Sequence, residues 1–309
     1  MMIFDVLIIF IMIILCSGNG ERDRIVHHHD MVKHQKVARI ENKFATGNIT
    51  IIPPHSNTET YNLRFPTGLS EYGGWAQAGQ DQCAFNLLNQ LKNGYFIEAG
   101  AYDGEEHSNS LWLEKTYNWN GLLIEPNIHL FHKINKLNRK CSVVNSGISP
   151  TNESTSFPFK LAGPLGGIVT HYSHRHEERA NTEIRAHKPW MDGEEGVGRV
   201  INVPCYPLEK LLLAAGNNDL VVDFFSLDTE GSEAYILKSI NFEKITIGII
   251  IIEHNNEEGR IDAFKNILIP HGYVEHLHFK AGLRMQDIVF VNPAYFKIKN
   301  AVYNPTSLC

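Results

Sequence analysis

The sequence predicts a doubly wound α/β domain on a mostly parallel, seven-stranded sheet with an antiparallel strand at one edge. Three observations carry that expectation. Apolar runs such as "GYFIEAG" (94–100), "GLLIEPN" (121–127) and "TIGIIIIEH" (246–254) are continuous rather than alternating, as strands covered on both faces must be. Stretches of helical spacing lie between them, the pattern of βα units in a parallel sheet. The chain also has 309 residues, 43% of them hydrophobic, enough to bury one large core.

Residues 1–20 contain the apolar run "IFDVLIIFIMIILC" followed by small residues. That run is shorter than the roughly 20 apolar residues a spanning helix needs, so it reads as a signal peptide or a short signal anchor. Entry into the secretory pathway follows, to the ER or Golgi lumen or to secretion, with membrane association through this segment as the variant. Two sequons, at Asn48 and Asn152, fit a glycoprotein. Residues 21–71 are polar and poorly periodic and read as a stalk, with "HHHD" (27–30) given no metal role. The domain is expected over 72–300, with a C-terminal tail at 301–309.

Within the domain a helix is expected in "YGGWAQAGQDQCAFNLLNQ" (72–90), from the spacing of Phe85, Leu87, Leu88 and Leu91. The first strand, 94–100, leads to a helix in 108–118; the second, 121–127, leads to a helix in 128–138. Lys133, Lys136, Arg139 and Lys140 read as the solvated face of that second helix. The third strand is "CSVVNSGIS" (141–149). An irregular insertion, 151–200, follows; its His171, His174 and His176 match no zinc spacing and read as solvated loop or lid residues. Then come a helix in 207–216, a strand in 220–228, a helix in 231–240, the strand 246–254, a helix in 260–270, and terminal strands in 272–279 and 286–293. Trp75 and Trp190 read as packing residues.

A net charge of −6 without a dense basic stripe excludes nucleic acid as the main partner. Beyond the leader's Cys16, four cysteines remain: Cys83, Cys141, Cys205 and Cys309. In an oxidising lumen they allow two disulfides. One between Cys141 and Cys205, which flank the insertion, stands beside the alternative of buried free thiols.

In an open parallel sheet, ligands bind beyond the carboxyl ends of the strands. Acids recur there: Glu98, Glu125, Asp228 and Glu253 each close a strand. Four such carboxylates call for a ligand with hydroxyls or positive charge. Gly100 and Gly104 let the first strand turn sharply and let a ligand lie against the backbone. The spacing lacks the third glycine of a dinucleotide fingerprint, and Asp103, Glu105 and Glu106 crowd the expected helix start, a poor cradle for phosphate. S-adenosylmethionine, with a sulfonium, an amino acid end and an unphosphorylated ribose, fits better. Glu125 is placed to accept both ribose hydroxyls. The plainer reading of Glu98 and Glu125 is that they cap the helices that follow, and of Asp228 that it caps the helix after Gly231.

"FIEAGAYDGEEHSN" (96–109), "GLLIEPN" and "FFSLDTEGSEAYILKSI" (224–240) together resemble the FkbM family of methyltransferases, most closely its invertebrate Star-like branch. "AQAGQD" and "VPCYPLEKLL" add to the likeness, which covers roughly 72–292. It implies a class I, Rossmann-like methyltransferase fold that uses S-adenosylmethionine, usually on hydroxyls of small molecules or glycans. By that resemblance Glu98, Gly100, Asp103 and Gly104 lie on the methionine side and Glu125 on the ribose, with Ser146 in the stretch that passes the adenine. Asp228 and Glu230 face the transferred methyl. Candidates for taking the acceptor's proton are Asp228, Glu230, Glu253 and His254. Asp228 and Glu253 sharing a divalent cation is the alternative to a purely protein-based site. A Star-like trafficking factor, exporting protein cargo without catalysis, is the alternative function.

Overall fold

The computed structural model describes residues 49–56, 60–189, 194–277 and 286–309. The expected leader, the "HHHD" stretch, the Asn48 sequon and Trp190 lie outside the described residues. Along the chain come β1 (Ile51–Ile52), α1 (Gln80–Leu87), β2 (Tyr95–Ala99), α2 (Leu111–Tyr117), β3 (Asn120–Ile124), α3 (Ile128–Asn135) and β4 (Ser142–Val144). A second group is β5 (Gly147–Ile148), β6 (Thr155–Lys160), β7 (Gly167–Ile168), α4 (His174–Arg185) and β8 (Val200–Tyr206). The chain then returns through α5 (Leu208–Ala214), β9 (Val221–Leu227), α6 (Glu233–Ser239), β10 (Thr246–Glu253) and α7 (Arg260–Leu268). It closes with β11 (Val274–His276), β12 (Asp287–Val291) and α8 (Pro293–Ile298).

The main sheet has eight strands in the order β1-β4-β3-β2-β9-β10-β12-β11. From β4 through to β10 every pairing is parallel, while β12 runs antiparallel to both β10 and β11. The antiparallel strand expected at the edge therefore sits one place in, and β11 is the edge.

Two-sided burial is visible residue by residue. Phe96, Phe224, Ile249 and Ile251 join one core cluster, with Leu111 and Leu113 of α2 and Ile134 of α3. Their neighbours Ile97, Phe225, Ile250 and Ile252 join another, with Leu211 of α5, Ile236 of α6 and Phe264 of α7. Successive side chains point to opposite faces, so only a strand with helices on both sides can be apolar throughout.

Three features depart from the sequence reading. The segment expected as stalk is packed on the domain from Ile49 on: Ile51 and Ile52 add β1 antiparallel to β4 as an eighth strand, and Arg64 ties to Asp103 and Glu105. The insertion is ordered rather than irregular. Its β6 and β7 join the flanking β5 and β8 in a second sheet, β5-β8-β6-β7, and it carries the helix α4, whose N-cap Ser173 accepts from His176 N. Finally, the disulfide joins Cys83 to Cys309, while Cys141 and Cys205 are free and buried. The expected Cys141–Cys205 bridge is overturned because Cys141 lies just ahead of β4 in the main sheet while Cys205 belongs to the second sheet, its Sγ against Gly147. The expected tail is thus bonded to α1. Among the described residues no helix is long and apolar enough to cross a membrane.

Candidate functional site

The chain runs outward from β2 through β3 to β4, then returns to the other side of β2 with β9 and β10. Where the order reverses, the ends of β2 and β9 leave a crevice, the usual ligand position in such sheets. A cavity of about 280 Å³ opens there. Its wall includes Glu98, Gly100, Glu125, Asp228, Glu230 and Glu253 from the strand ends and the residues that follow them. Phe159, Leu165, Ile168, Arg179 and Glu183 of the insertion and Val203 of β8 complete it. Asp103, Gly104, Ser146 and His254 are not on that wall.

Gly100 has φ +81°, and a β-carbon there would collide with the carbonyl oxygen of Asp228. This glycine lets β2 turn while pressed against the end of β9. Gly104, at φ +78°, makes the next turn, where a β-carbon would come within 2.9 Å of Ile134.

Glu98 fastens that loop. Its carboxylate accepts from Ser108 Oγ at 3.0 Å, Asn109 N at 2.9 Å and Ser110 Oγ, and burial raises its pKa. Asp103 does similar work, accepting from Glu105 N and Glu106 N and pairing with Arg64. The crowded helix start expected from Asp103, Glu105 and Glu106 is corrected on two counts. The helix α2 begins only at Leu111, and Arg64 offsets the charge of all three acids.

Arg139 is the residue sequence reasoning misplaced most. It is 1% exposed rather than on a solvated helix face. Its guanidinium bonds Glu114 at 3.0 Å, Ser110 Oγ at 3.0 Å and the carbonyl oxygen of Gly104. It follows the end of α3, where the chain turns through Asn138 at φ +56°. A solvated helix face at 139 would need the helix to run on past 138, whereas α3 ends at Asn135.

Glu125 accepts from Tyr102 N at 2.9 Å and Asn127 N at 2.8 Å. Burial pushes its pKa up to about 8. Each carboxylate oxygen has two lone pairs, so it can still take hydroxyl donors from the cavity. Near β4 and β5, Gly147 and Ile148 line the cavity, whereas Ser146 Oγ is buried without a hydrogen-bond partner.

Asp228, Glu230 and Glu253 bring an oxygen each to within 4.8 Å of one another. Burial raises the pKa of Asp228 and of Glu253 well above the ordinary carboxylate range. The charge of Glu230 adds to the shift of Asp228, and that of Asp228 to the shift of Glu253. Such a group of oxygens can hold a proton or a hard cation. Glu230, at φ +55°, turns its carboxylate to His176 Nδ1 at 3.1 Å, while His176 Nε2 faces the Leu165 carbonyl at 3.1 Å. Both ring nitrogens face oxygen acceptors, an arrangement that favours the protonated ring. Burial works against that charge, but Glu230 outweighs it and the pKa of His176 is raised. Of the two readings of His176, solvated loop or lid, the first is corrected: it is buried, on the α4 face that also carries Arg179 and Glu183. His171, by contrast, stacks on Tyr235, and His174 is exposed beside Glu178. His254 shapes the next turn, with Nδ1 accepting from Asn256 N at 3.0 Å. Glu233, the last acid of D-x-E-G-x-E, accepts from Thr229 N and Gly231 N and pairs with Arg260, so it builds the turn that presents Glu230.

The family model described as "Methyltransferase FkbM domain" matches residues 98–279. Among solved structures, a methyltransferase from Pyrococcus furiosus is 14% identical with a TM-score of 0.33, the match covering 69% of this chain and 82% of that one. A precorrin-6y C5,15-methyltransferase from Geobacter metallireducens GS-15 is 12% identical with a TM-score of 0.35, covering 68% and 86%. At that distance the assignment rests on the family match. No curated protein matches the chain.

Proposed function

The chain belongs to the FkbM methyltransferase family, and from that premise we propose that it transfers a methyl group from S-adenosylmethionine to a hydroxyl of a glycan or small molecule in the secretory pathway. The fold is that of the class I methyltransferases. One observation carries the reading: a single cavity at the sheet's reversal point is walled by the Gly100 turn, by Glu125 and by the Asp228, Glu230 and Glu253 carboxylates.

The cofactor's ribose would sit on Glu125, with its amino acid end along the turn from Gly100. Methyl transfer needs the acceptor oxygen in line with the methyl–sulfur bond and somewhere for the hydroxyl proton to go. The oxygen's lone pair forms the bond to the methyl carbon. The carbon–sulfur bond breaks with its electrons staying on sulfur, and the proton passes to the Asp228–Glu253 pair. Phe159, Leu165, Ile168 and Val203 give the same cavity an apolar side, against which the carbon skeleton of an acceptor can rest. The secretory setting draws support from the Cys83–Cys309 disulfide, a bond that persists in oxidising compartments.

The test is incubation of the full chain, made in a secretory host, with S-adenosylmethionine labelled in its methyl group and a panel of glycans and polyols. Label transferred to an acceptor hydroxyl, and reduced about 100-fold or more by Asp228→Asn, is the expected result. Label moving only to amines or carboxylates would overturn the hydroxyl assignment.

A further inference from the structure

We propose that Glu194 is a positioning residue for the cofactor. From behind the cavity wall it ties the insertion's 163–166 turn to the turn that carries Glu125, and so sets the separation of the two sides of the ribose site. This role rests on the cofactor reading above, whereas the contacts stand without it.

The strand β3 runs out through Glu125 and Pro126 to Asn127, where three bonds meet. The backbone N of Asn127 donates to Glu125 Oε1 at 2.8 Å, which helps to aim the carboxylate assigned to the ribose. Its side-chain oxygen caps α3, accepting from His129 N at 3.0 Å. That cap fixes which side-chain atom is the oxygen, so Nδ2 points the other way with its protons to place. Asn127 is fully buried, and the acceptor that Nδ2 meets is Glu194 Oε1 at 2.7 Å.

The other oxygen of Glu194 accepts from Gly163 N at 2.8 Å. Gly163, Pro164, Leu165 and Gly166 all lie on the cavity wall, as do Glu125 and Pro126. Glu194 is 7% exposed and is not on that wall. Its carboxylate therefore acts only through the two turns that it joins. The insertion's turn is also held from the other side, where Tyr172 Oη donates to the Leu165 carbonyl at 2.8 Å.

A buried carboxylate with a donor on each oxygen is ordinary packing chemistry. What sets Glu194 apart is where its donors lie: Asn127 belongs to the end of β3 in the main sheet and Gly163 to the insertion, and the residues beside both line one cavity. Hydrogen bonds to a carboxylate are short and stronger than neutral ones, so the two turns are held in one arrangement before any ligand arrives. A ligand entering a site already in its bound shape is spared the cost of ordering the walls, and that saving appears as affinity.

The test inverts the bond. Glu194→Gln leaves one acceptor oxygen for two donors, and Asn127→Asp sets a carboxylate against Glu194 while keeping an oxygen to cap α3. Combined, the new amide donates to the new carboxylate, and its own oxygen still accepts from Gly163 N. S-adenosylhomocysteine is titrated calorimetrically into the full chain, both single variants and the pair, with a melting transition recorded for each. Each single substitution should weaken binding about tenfold, and the pair should return to within about threefold of wild type. Folded single variants that bind like wild type, whatever their melting temperatures, would overturn the role and leave the cofactor reading in place. A pair no better than the single variants would overturn it equally. Should Asn127→Asp fail to fold, Glu194→Gln against the pair gives the same comparison. Wild-type protein that binds no S-adenosylhomocysteine would sink the cofactor reading, and the role with it.

Discussion

Glu125 and Arg139 show what single residues decide here. With its carboxyl held near pKa 8 by burial, Glu125 is largely protonated at pH 7. Ribose hydroxyls donating to it would favour the ionised form, so cofactor binding should release protons and tighten as pH rises from 6 to 8. Calorimetry should then give more heat in Tris than in phosphate; equal heats would contradict the contact. Arg139 is a different case, a buried cation joining Glu114 to the Gly104–Ser110 loop. Arg139→Met leaves Glu114 buried and unpaired and should cost about 3–5 kcal/mol in denaturant unfolding. The double variant with Glu114→Met should recover most of that loss. At this scale the sequence was legible where a residue ends a strand: Glu98, Gly100, Glu125, Asp228, Glu230 and Glu253 reach one cavity. It was not legible for Arg139, because a basic residue in a basic run looks solvated until the partners from α2 and its loop are in view.

At the scale of elements, the main-sheet strands were readable because each is apolar on both faces, and two-sided burial leaves that mark in the chain. Helix α4 was not. Its buried residues are His176 and Ala180, and the neighbouring Arg179 and Glu183 face a polar cavity rather than an apolar core. A helix whose inner face is polar carries no hydrophobic periodicity. The second sheet was hidden in part because β7 has only two residues, too short for alternation to register, and because β5, also of two, reads as the end of a single strand over 141–149. These elements bring the insertion onto the crevice at the strand ends, with His176 reaching Glu230.

At the scale of the whole molecule, the disulfide spans 226 residues and ties the end of the chain to α1. Such a bond stabilises mainly by restricting the unfolded chain, typically by about 2–4 kcal/mol. Cys309→Ser should lower the melting temperature by roughly 5–15 °C, and an unchanged melt would contradict a structural role. Pairing was beyond sequence reasoning because chain order carries no information about which ends meet. The short strand β1 and the packing of Arg64 extend the same lesson to the N-terminal side, where polar composition concealed a segment that closes the sheet's edge and braces the glycine loop. All of these supports converge on one crevice. Its occupant is tested most directly by calorimetric titration of S-adenosylhomocysteine into the full chain, beside a folded Glu125→Ala variant. Micromolar binding that the substitution abolishes is the predicted result. A folded wild-type protein giving neither heat nor a rise in melting temperature would contradict the account, and would mean that the fold serves as a scaffold for protein cargo.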